Sequence, residues 1–570
     1  MRRLERLVLK FYKSVVPNRV KLLLPESTKV RGLEALYYLT SRPSAADIRA
    51  RRKAELAERR KDWTEAARLW QMQALRHQGV LRPATAIPVA QLPRLEVLQD
   101  DHIRKMRFAL GRLRLARART ALALYRAGQD RAADELVVRV VESVPDQRIL
   151  KDEPVLLEAA STYIRKALGP PADQAARPEL TRPRRIAICL DILKLSEVHT
   201  HVRVIFAICR NLLDEAPDIE VHLVVTRERF MTTTPNMGAS FLPDIDAEIT
   251  ALARPVMGPL MNTRFHLHQF VSGGLEGCIT TCQAIMALQP DVILYAGGHR
   301  GLFSNESRVV RHSLFDHFPT VFFFIQSNNR VDPKLDMIIA RGPHRIEGKP
   351  GQALIRVQPY PTILKEEMPP PPAVDLRKQG SGVIVSALAG LRMNQRLLRL
   401  ERRDLKTMLS ILDRAPGTVW HMIGSTDTQG LLADAPLLAR RVASGQLVIH
   451  PVMPMDAFSE LVASAALFIH PPGFTGGSGG AAVARAAGVP ILTMRDSDVS
   501  GRQPGETVFA QDQIPALAEM AVTLLKDPDA WARIVRLQNE TRTRIAETAA
   551  SEFLACLGEA MTAYRTRRAT

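Results

Sequence analysis

Two textures of apolar and polar residues divide this chain. Up to residue 168, apolar residues recur three or four positions apart, the spacing of one helix face. One helical hairpin is predicted from Ala46 to Leu75, turning at Lys61, Asp62 and Trp63, with the alanine-rich second arm WTEAARLW. Another is predicted from His102 to Val144, turning at Gly128, Gln129 and Asp130, with the second arm RAADELVVRVVES. From Leu168 to Pro183 the chain becomes LGPPADQAARPELTRP, which reads as a linker. Short unbroken apolar runs follow, as in parallel strands buried on both faces.

The first of these runs is RRIAICLDI, Arg184 to Ile192; a helix from His199 to Asp214 and a strand from Glu220 to Thr226 complete a β-α-β unit. Further strands are predicted at Asp291–Gly297, Thr320–Gln326 and Met337–Ala340. A second linker, Leu364 to Gly382, holds four successive prolines that neither a helix nor a central strand accommodates. Beyond it, strands are predicted at Gly382–Leu388, Thr418–Gly424, Gln446–Val452, Ala466–Pro472 and Val489–Met494. Helices are predicted at Arg403–Arg414, Met455–Ala465 and Ser478–Gly488, and a helical region from about Pro515 to the end. The expected fold is α/β, with two Rossmann-like doubly wound lobes after an all-α, tetratricopeptide-like domain. Its parts are residues 1–168 (helical), 184–365 (first lobe), 379–535 (second lobe) and 536–570 (C-terminal helix). Only two helical pairs are visible, without a regular ~34-residue period, so a plain helical bundle is the alternative for the first part.

The formal net charge is +19, carried mostly by arginines scattered along helices. Such a surface suits phosphate-rich or acidic partners, or is simply a solvated basic surface. Aromatic residues make up 5% of the chain, which speaks against a nucleic-acid reader built on stacked bases. The five cysteines have no zinc-finger spacing and read as buried or free thiols in a reducing cytoplasm. In residues 1–16 apolar positions at helical spacing alternate with arginines and lysines. Such a helix either lies on an anionic membrane face or docks on its own protein. The expected location is cytoplasmic, with peripheral contact at the inner membrane as the variant.

The strongest local signal is HPPGFTGGSGGAAVARAAGVPILTM, His470 to Met494. A strand ends at His470, a glycine-rich loop turns, and a helix opens near Gly479. The unpaired amides and positive dipole end of such a helix, approached through glycines, suit a pyrophosphate. Thr475, Gly476, Gly477, Ser478, Gly479 and Gly480 are the candidate donor-binding residues, with hydroxyls from Thr475 and Ser478.

This segment resembles the end of the donor-binding half of GT-B glycosyltransferases. The order of pieces also resembles the O-GlcNAc transferase family and its bacterial relatives, the N-glycosyltransferases that modify adhesins. The resemblance covers about residues 184–535. It is carried by RRIAICLDILKLSEVHTHV, PDVILYAGG, PTVFFFIQ, KLDMIIARG, SALAGLRMNQRLL and TMLSILDRAPGTVWHMIG, then by PMDAFSELVASAALFIHPPGFTGG. It implies a glycosyltransferase of hexosyl or N-acetylhexosaminyl type, using a nucleotide sugar, first of all a UDP-sugar, with inversion and no metal. The acceptor it implies is a protein; a surface polysaccharide or lipid-linked glycan fits equally. No cofactor is expected beyond the nucleotide-sugar co-substrate, and no nucleic acid. The family's phosphate-binding lysine is replaced by Arg392, which keeps the charge and alters its geometry. Many GT-B enzymes hold the ribose with an acidic residue where this chain has Val483, so Asp496, or Asp498 beside it, is the substitute candidate.

For catalysis, His201 is the expected base and His199 the reserve, since a histidine titrates near neutrality; either is otherwise a solvent-facing residue at a helix start. His470 is placed against the donor. His299, Arg300, Gln326 and Asn328 follow strand ends and are assigned to the acceptor and sugar cleft. His266 and His268 have no carboxylate spaced to complete a metal site. The alternative function is a non-catalytic scaffold of the same fold whose helical hairpins bind a partner; Val483 favours it.

Overall fold

The computed structural model describes residues 45–81, 101–142, 154–171, 180–190, 200–228, 245–272, 274–297, 305–324, 330–331, 334–340, 347–348, 353–361, 371–388, 392–398, 400–470, 478–497 and 499–569. Residues 1–16, with their expected membrane contact, lie outside these. Among the described residues no helix is long and apolar enough to cross a membrane.

Helices α1 (Ala45–Arg59) and α2 (Trp63–Leu81) form one hairpin, and α3 (Asp101–Arg126) and α4 (Asp130–Glu142) form another; α5 (Pro154–Leu168) follows. The Asp62 carboxylate caps α2 by accepting from the Glu65 amide at 3.1 Å. Gly128 supplies the left-handed turn of the second hairpin with φ of 72°. Buried Ala54, Ala66, Ala67, Ala116 and Ala123 let the helices approach closely. Glu58 joins three of them, accepting from Trp70 Nε1 at 2.8 Å and from Arg119 Nη1 at 2.9 Å. These helices are not a detached module. Ala118 and Ala121 of α3, Val137 of α4 and Leu156 and Ile164 of α5 share one core with the first sheet.

The first lobe comprises β1 (Arg185–Leu190), α6 (Thr200–Glu215), β2 (Glu220–Glu228), α7 (Ile245–Met257), β3 (Phe265–Ser272), α8 (Gly274–Ala287), β4 (Val292–Gly297), α9 (Asn305–Leu314), β5 (Thr320–Phe324), β7 (Met337–Ala340) and β9 (Leu354–Val357). A short side pair is β6 (Arg330–Val331) with β8 (Glu347–Gly348). The main strands lie in the order β3-β2-β1-β4-β5-β7-β9, every neighbour parallel. Residues of β1 alternate between two cores, which explains the unbroken apolar run. Ile186, Ile188 and Leu190 pack with α6 and the C-terminal helix. Ala187 and Cys189 pack with α5, α8 and α9.

The second lobe comprises α10 (Leu376–Gln379), β10 (Val383–Ala387), α11 (Arg392–Leu397), α12 (Arg402–Arg414), β11 (Val419–Ile423), α13 (Thr428–Asp434), α14 (Pro436–Ala443), β12 (Leu447–His450), α15 (Met455–Ala463), β13 (Leu467–Ile469), α16 (Ser478–Ala486), β14 (Ile491–Met494), β15 (Val508–Phe509) and α17 (Ile514–Lys526). Its strand order is β12-β11-β10-β13-β14-β15, again all parallel. Counted within each sheet, both lobes follow the doubly wound order 3-2-1-4-5-6, the first with a seventh strand added at its edge. This fits the two-lobed α/β architecture expected of GT-B.

The last helix, α18 (Pro528–Ala569), links the lobes. Near its start Trp531, Ile534 and Val535 belong to the core of the second lobe. Further on, Phe553, Leu554, Leu557 and Ala560 belong to the core of the first. Its far end is clamped by Arg567, which bonds the buried Asp336 at 2.8 Å and the Phe315 carbonyl at 2.8 Å. A Cβ on Gly558 would lie 2.2 Å from the Thr181 carbonyl oxygen, a backbone atom that cannot step aside cheaply. Gly558→Ala is therefore expected to destabilise the chain by about 1–3 kcal/mol. Urea unfolding measures this, and an unchanged midpoint would contradict the packing.

Candidate functional site

A doubly wound sheet binds ligands beyond the carboxyl ends of its strands, where the strand order reverses. In the second lobe that point lies between β10 and β13. A buried polar chain fixes it: Trp420 Nε1 donates to Ser386 Oγ at 3.0 Å, and Ser386 Oγ donates to the Ile469 carbonyl at 2.6 Å. The sequence offered no sign of this role for Ser386 and Trp420, which needs the sheet register to be seen. β13 ends at Ile469 and α16 begins at Ser478. Its first amides have no partner within the helix, and the dipole adds positive potential there.

Two glycines at this helix start differ in kind. A Cβ on Gly480 would stand 3.2 Å from Phe468 Cζ and 3.4 Å from Ala387 Cβ, so Gly480 lets the helix sit close on the sheet. A Cβ on Gly479 would meet nothing within 4 Å among the described residues. Gly479 thus stands at an open surface, where a ligand can reach the amides. Val483, one turn later, is partly buried against the apolar cluster of Val385, Phe458 and Phe468. That packing is a physical reason for an apolar residue here.

The remaining candidates sort by strand. Arg392 opens α11, just beyond β10. The His470 ring is wholly buried at the end of β13. Asp496 is exposed in the turn after β14, a turn held by Thr493 Oγ1 and Ser497 Oγ 2.6 Å apart. His201 lies in the first turn of α6, after β1. His199, His299, Arg300, Gln326, Asn328, Thr475, Gly476, Gly477 and Asp498 lie outside the described residues. In chain order they follow β1, β4, β5, β13 and β14. Asp496 and Gly479 are the candidates shown exposed, while Ser478, Arg392 and His201 are placed by their backbone.

All five cysteines are buried thiols. Among the described residues no three His, Cys, Asp or Glu side chains are placed to hold a metal. Histidines instead pair on the strand edges of both lobes. In the first, His222 stacks on His266 and His268 at 4.9 and 5.2 Å, with His222 Nδ1 2.9 Å from His268 Nε2. In the second, His421 Nδ1 lies 2.9 Å from His450 Nε2. Such a contact needs one ring nitrogen to accept, so one ring of each pair is neutral. Burial, then the neighbouring His268 and His266, pull His222 down to about 4. Burial lowers His268, His421 and His450 as well. In the unfolded chain these rings take up a proton near pH ~6.5. Their contribution to stability is therefore full above that pH and is lost as pH falls towards 4. The melting temperature is expected to drop below pH ~6.5, and less steeply in a His222→Leu, His421→Leu double variant. Equal slopes in the two chains would contradict this.

No family model matches the sequence, and no curated protein matches it. Among solved structures the chain is similar to HepE of Anabaena in complex with UDP and glucose, at 11% identity over 65% of this chain and 100% of that one, with a TM-score of 0.35. It is also similar to sucrose-phosphate synthase from Thermosynechococcus elongatus, at 14% identity over 68% of this chain and 99% of that one, TM-score 0.37. A third is the N-terminal domain of Candida albicans trehalose-6-phosphate phosphatase, at 10% identity over 67% and 98%, TM-score 0.40. Likeness at this level decides nothing; the two strand orders define the class as a two-lobed, doubly wound α/β protein.

Proposed function

We propose that the chain is a glycosyltransferase that takes a sugar from a nucleotide-activated donor, a UDP-sugar in the first instance. One observation carries the reading: a helix start with an open glycine at the strand-order reversal of the second doubly wound lobe. In this reading the amides from Gly476 to Gly480, the hydroxyls of Thr475 and Ser478 and the Arg392 guanidinium hold the diphosphate, and His470 backs them. Asp496 takes the ribose. His201, with His199 in reserve, removes the acceptor's proton. The acceptor atom then attacks the anomeric carbon, the bond to the diphosphate oxygen breaks, and the nucleoside diphosphate leaves with that electron pair. The charge that develops on the leaving group is met by fixed dipoles and a cation, so no metal is required. Direct displacement inverts the anomeric carbon. His299, Arg300, Gln326 and Asn328 form the acceptor side, and the acceptor is a protein or a surface glycan. The tetratricopeptide-like hairpins present it, and residues 1–16 hold the enzyme at the cytoplasmic membrane face.

A screen of nucleotide sugars for hydrolysis and for protection against thermal unfolding tests this. At least one UDP-sugar is expected to raise the melting temperature, and Arg392→Ala and Ser478→Val to remove the rise. Unchanged protection in both variants would refute the placement of the pocket. Val483, partly buried against the core, supports the second reading, a non-catalytic scaffold. Binding no tighter than millimolar for every nucleotide would decide for it.

A further inference from the structure

Two segments connect the lobes: the chain after Pro361 and helix α18. A cavity opens where they meet, lined by Asn211 of α6, Tyr360, Arg485 of α16, Arg502 and Arg542 of α18 among others, and among the described residues none that lines it is acidic. Its first-lobe rim is already committed. The Asn211 amide donates to the Pro361 carbonyl at 2.9 Å, and the Tyr360 hydroxyl to the Ile339 carbonyl at 2.5 Å. The second-lobe side is cationic. Arg502 Nη2 reaches the Tyr360 carbonyl at 3.5 Å, the outer limit of a hydrogen bond. Arg485 is 7% exposed, and among the described residues its Nε has no hydrogen-bond partner. Burial, and then the like charge of Arg542, pull its guanidinium down to about 10. A cation buried beside another cation, its Nε unbonded among the described residues, is a standing electrostatic penalty. An anion shared by the three would remove it, and a guanidinium fork matches a phosphoryl group in shape and charge.

We propose that this hinge cavity binds a phosphoryl anion, either free phosphate or the phosphate of a small ester. Bound there, the anion joins Arg485 and Arg502 of the second lobe to Arg542 of the crossing helix, beside Asn211 and Tyr360 of the first. Its occupancy therefore sets how freely the lobes move about their two connections. The proposal is independent of the donor site.

The test is thermal unfolding of the full chain in sodium phosphate against sodium chloride of equal ionic strength, with glycerol phosphate as a second probe. At ten times its dissociation constant, phosphate is expected to raise the melting temperature by about 1–2 °C beyond chloride. In Arg485→Met the increment from either probe should vanish, while the melting temperature in chloride stays level or rises, because a buried cation has been replaced by an apolar chain. Arg502→Leu should weaken phosphate binding several-fold. An ester preferred over the free ion names the source as a metabolite, and the reverse names inorganic phosphate; both uphold the site. An increment that is absent, or equal in the wild type and Arg485→Met, overturns it. So does an Arg485→Met chain that is less stable in chloride, which would mean that the arginine is satisfied without an anion. UDP affinity should be unchanged in Arg485→Met, which keeps this outcome separate from that of the donor site.

Discussion

Replacing Gly479 by aspartate is expected to abolish donor binding while leaving the fold intact. A carboxylate at the start of a helix interacts favourably with its dipole, so α16 itself should gain slightly. A Cβ at this position meets nothing within 4 Å among the described residues, so the first atom of the new side chain offsets none of that gain there. The same carboxylate would stand where the account places a diphosphate. Like charges at a few ångströms, in a partly desolvated site, are expected to weaken nucleotide binding by about 100-fold or more. The measurement is a calorimetric titration of UDP into the wild type and Gly479→Asp, with melting temperatures alongside. Equal affinity in both would remove α16 from the site. Lost affinity together with a collapsed melting temperature would show that Gly479 serves the fold.

The second large effect is on stability. Trp531 is fully buried in the second lobe, and its Nε1 donates to the Ala466 carbonyl at 2.6 Å. Ala466 directly precedes β13, so this bond ties the first turn of α18 to the strand that leads into the glycine loop. Trp531→Ala removes a large core side chain and strips a buried carbonyl of its donor. The expected loss is about 3–5 kcal/mol. Trp531→Phe keeps most of the packing and loses the bond, for about 1–3 kcal/mol. Urea unfolding ranks the three chains. A phenylalanine variant as unstable as the alanine variant would place the whole effect in the hydrogen bond.

Much of this architecture was legible in the sequence, because a parallel strand buried on both faces announces itself as an apolar run. RIAICL, VILYAG and VIVSA are such runs, and each lies in the middle of a sheet. The edges were harder. β3, FHLHQFVS, pairs only with β2, and its alternating His266 and His268 conceal it, since stacked half-buried histidines do not read as core. β9, with Arg356 and Val357 exposed, was missed for the same reason. The C-terminal helix was foreseen, but not that α18 runs unbroken from Pro528 to Ala569 through residue 536, where the sequence reading began a separate part. Apolar spacing continues along it, and periodicity does not say which lobe each turn serves. For the site, the sequence placed its candidates at the strand ends where ligands of such sheets bind. It gave no sign of Arg485, which reads as an ordinary basic residue in the last turn of a helix. In the fold it is 7% exposed and shares a cavity with Arg542 of α18.

The most direct measurement compares UDP with uridine on the unmodified chain. If exposed amides at the start of α16 grip a diphosphate, nearly all of the affinity resides in the phosphates. UDP should then bind at least about 100-fold more tightly than uridine, and weaken as salt screens the charge. Equal affinities for the two, or no binding of UDP at any concentration up to the millimolar range, would contradict the account.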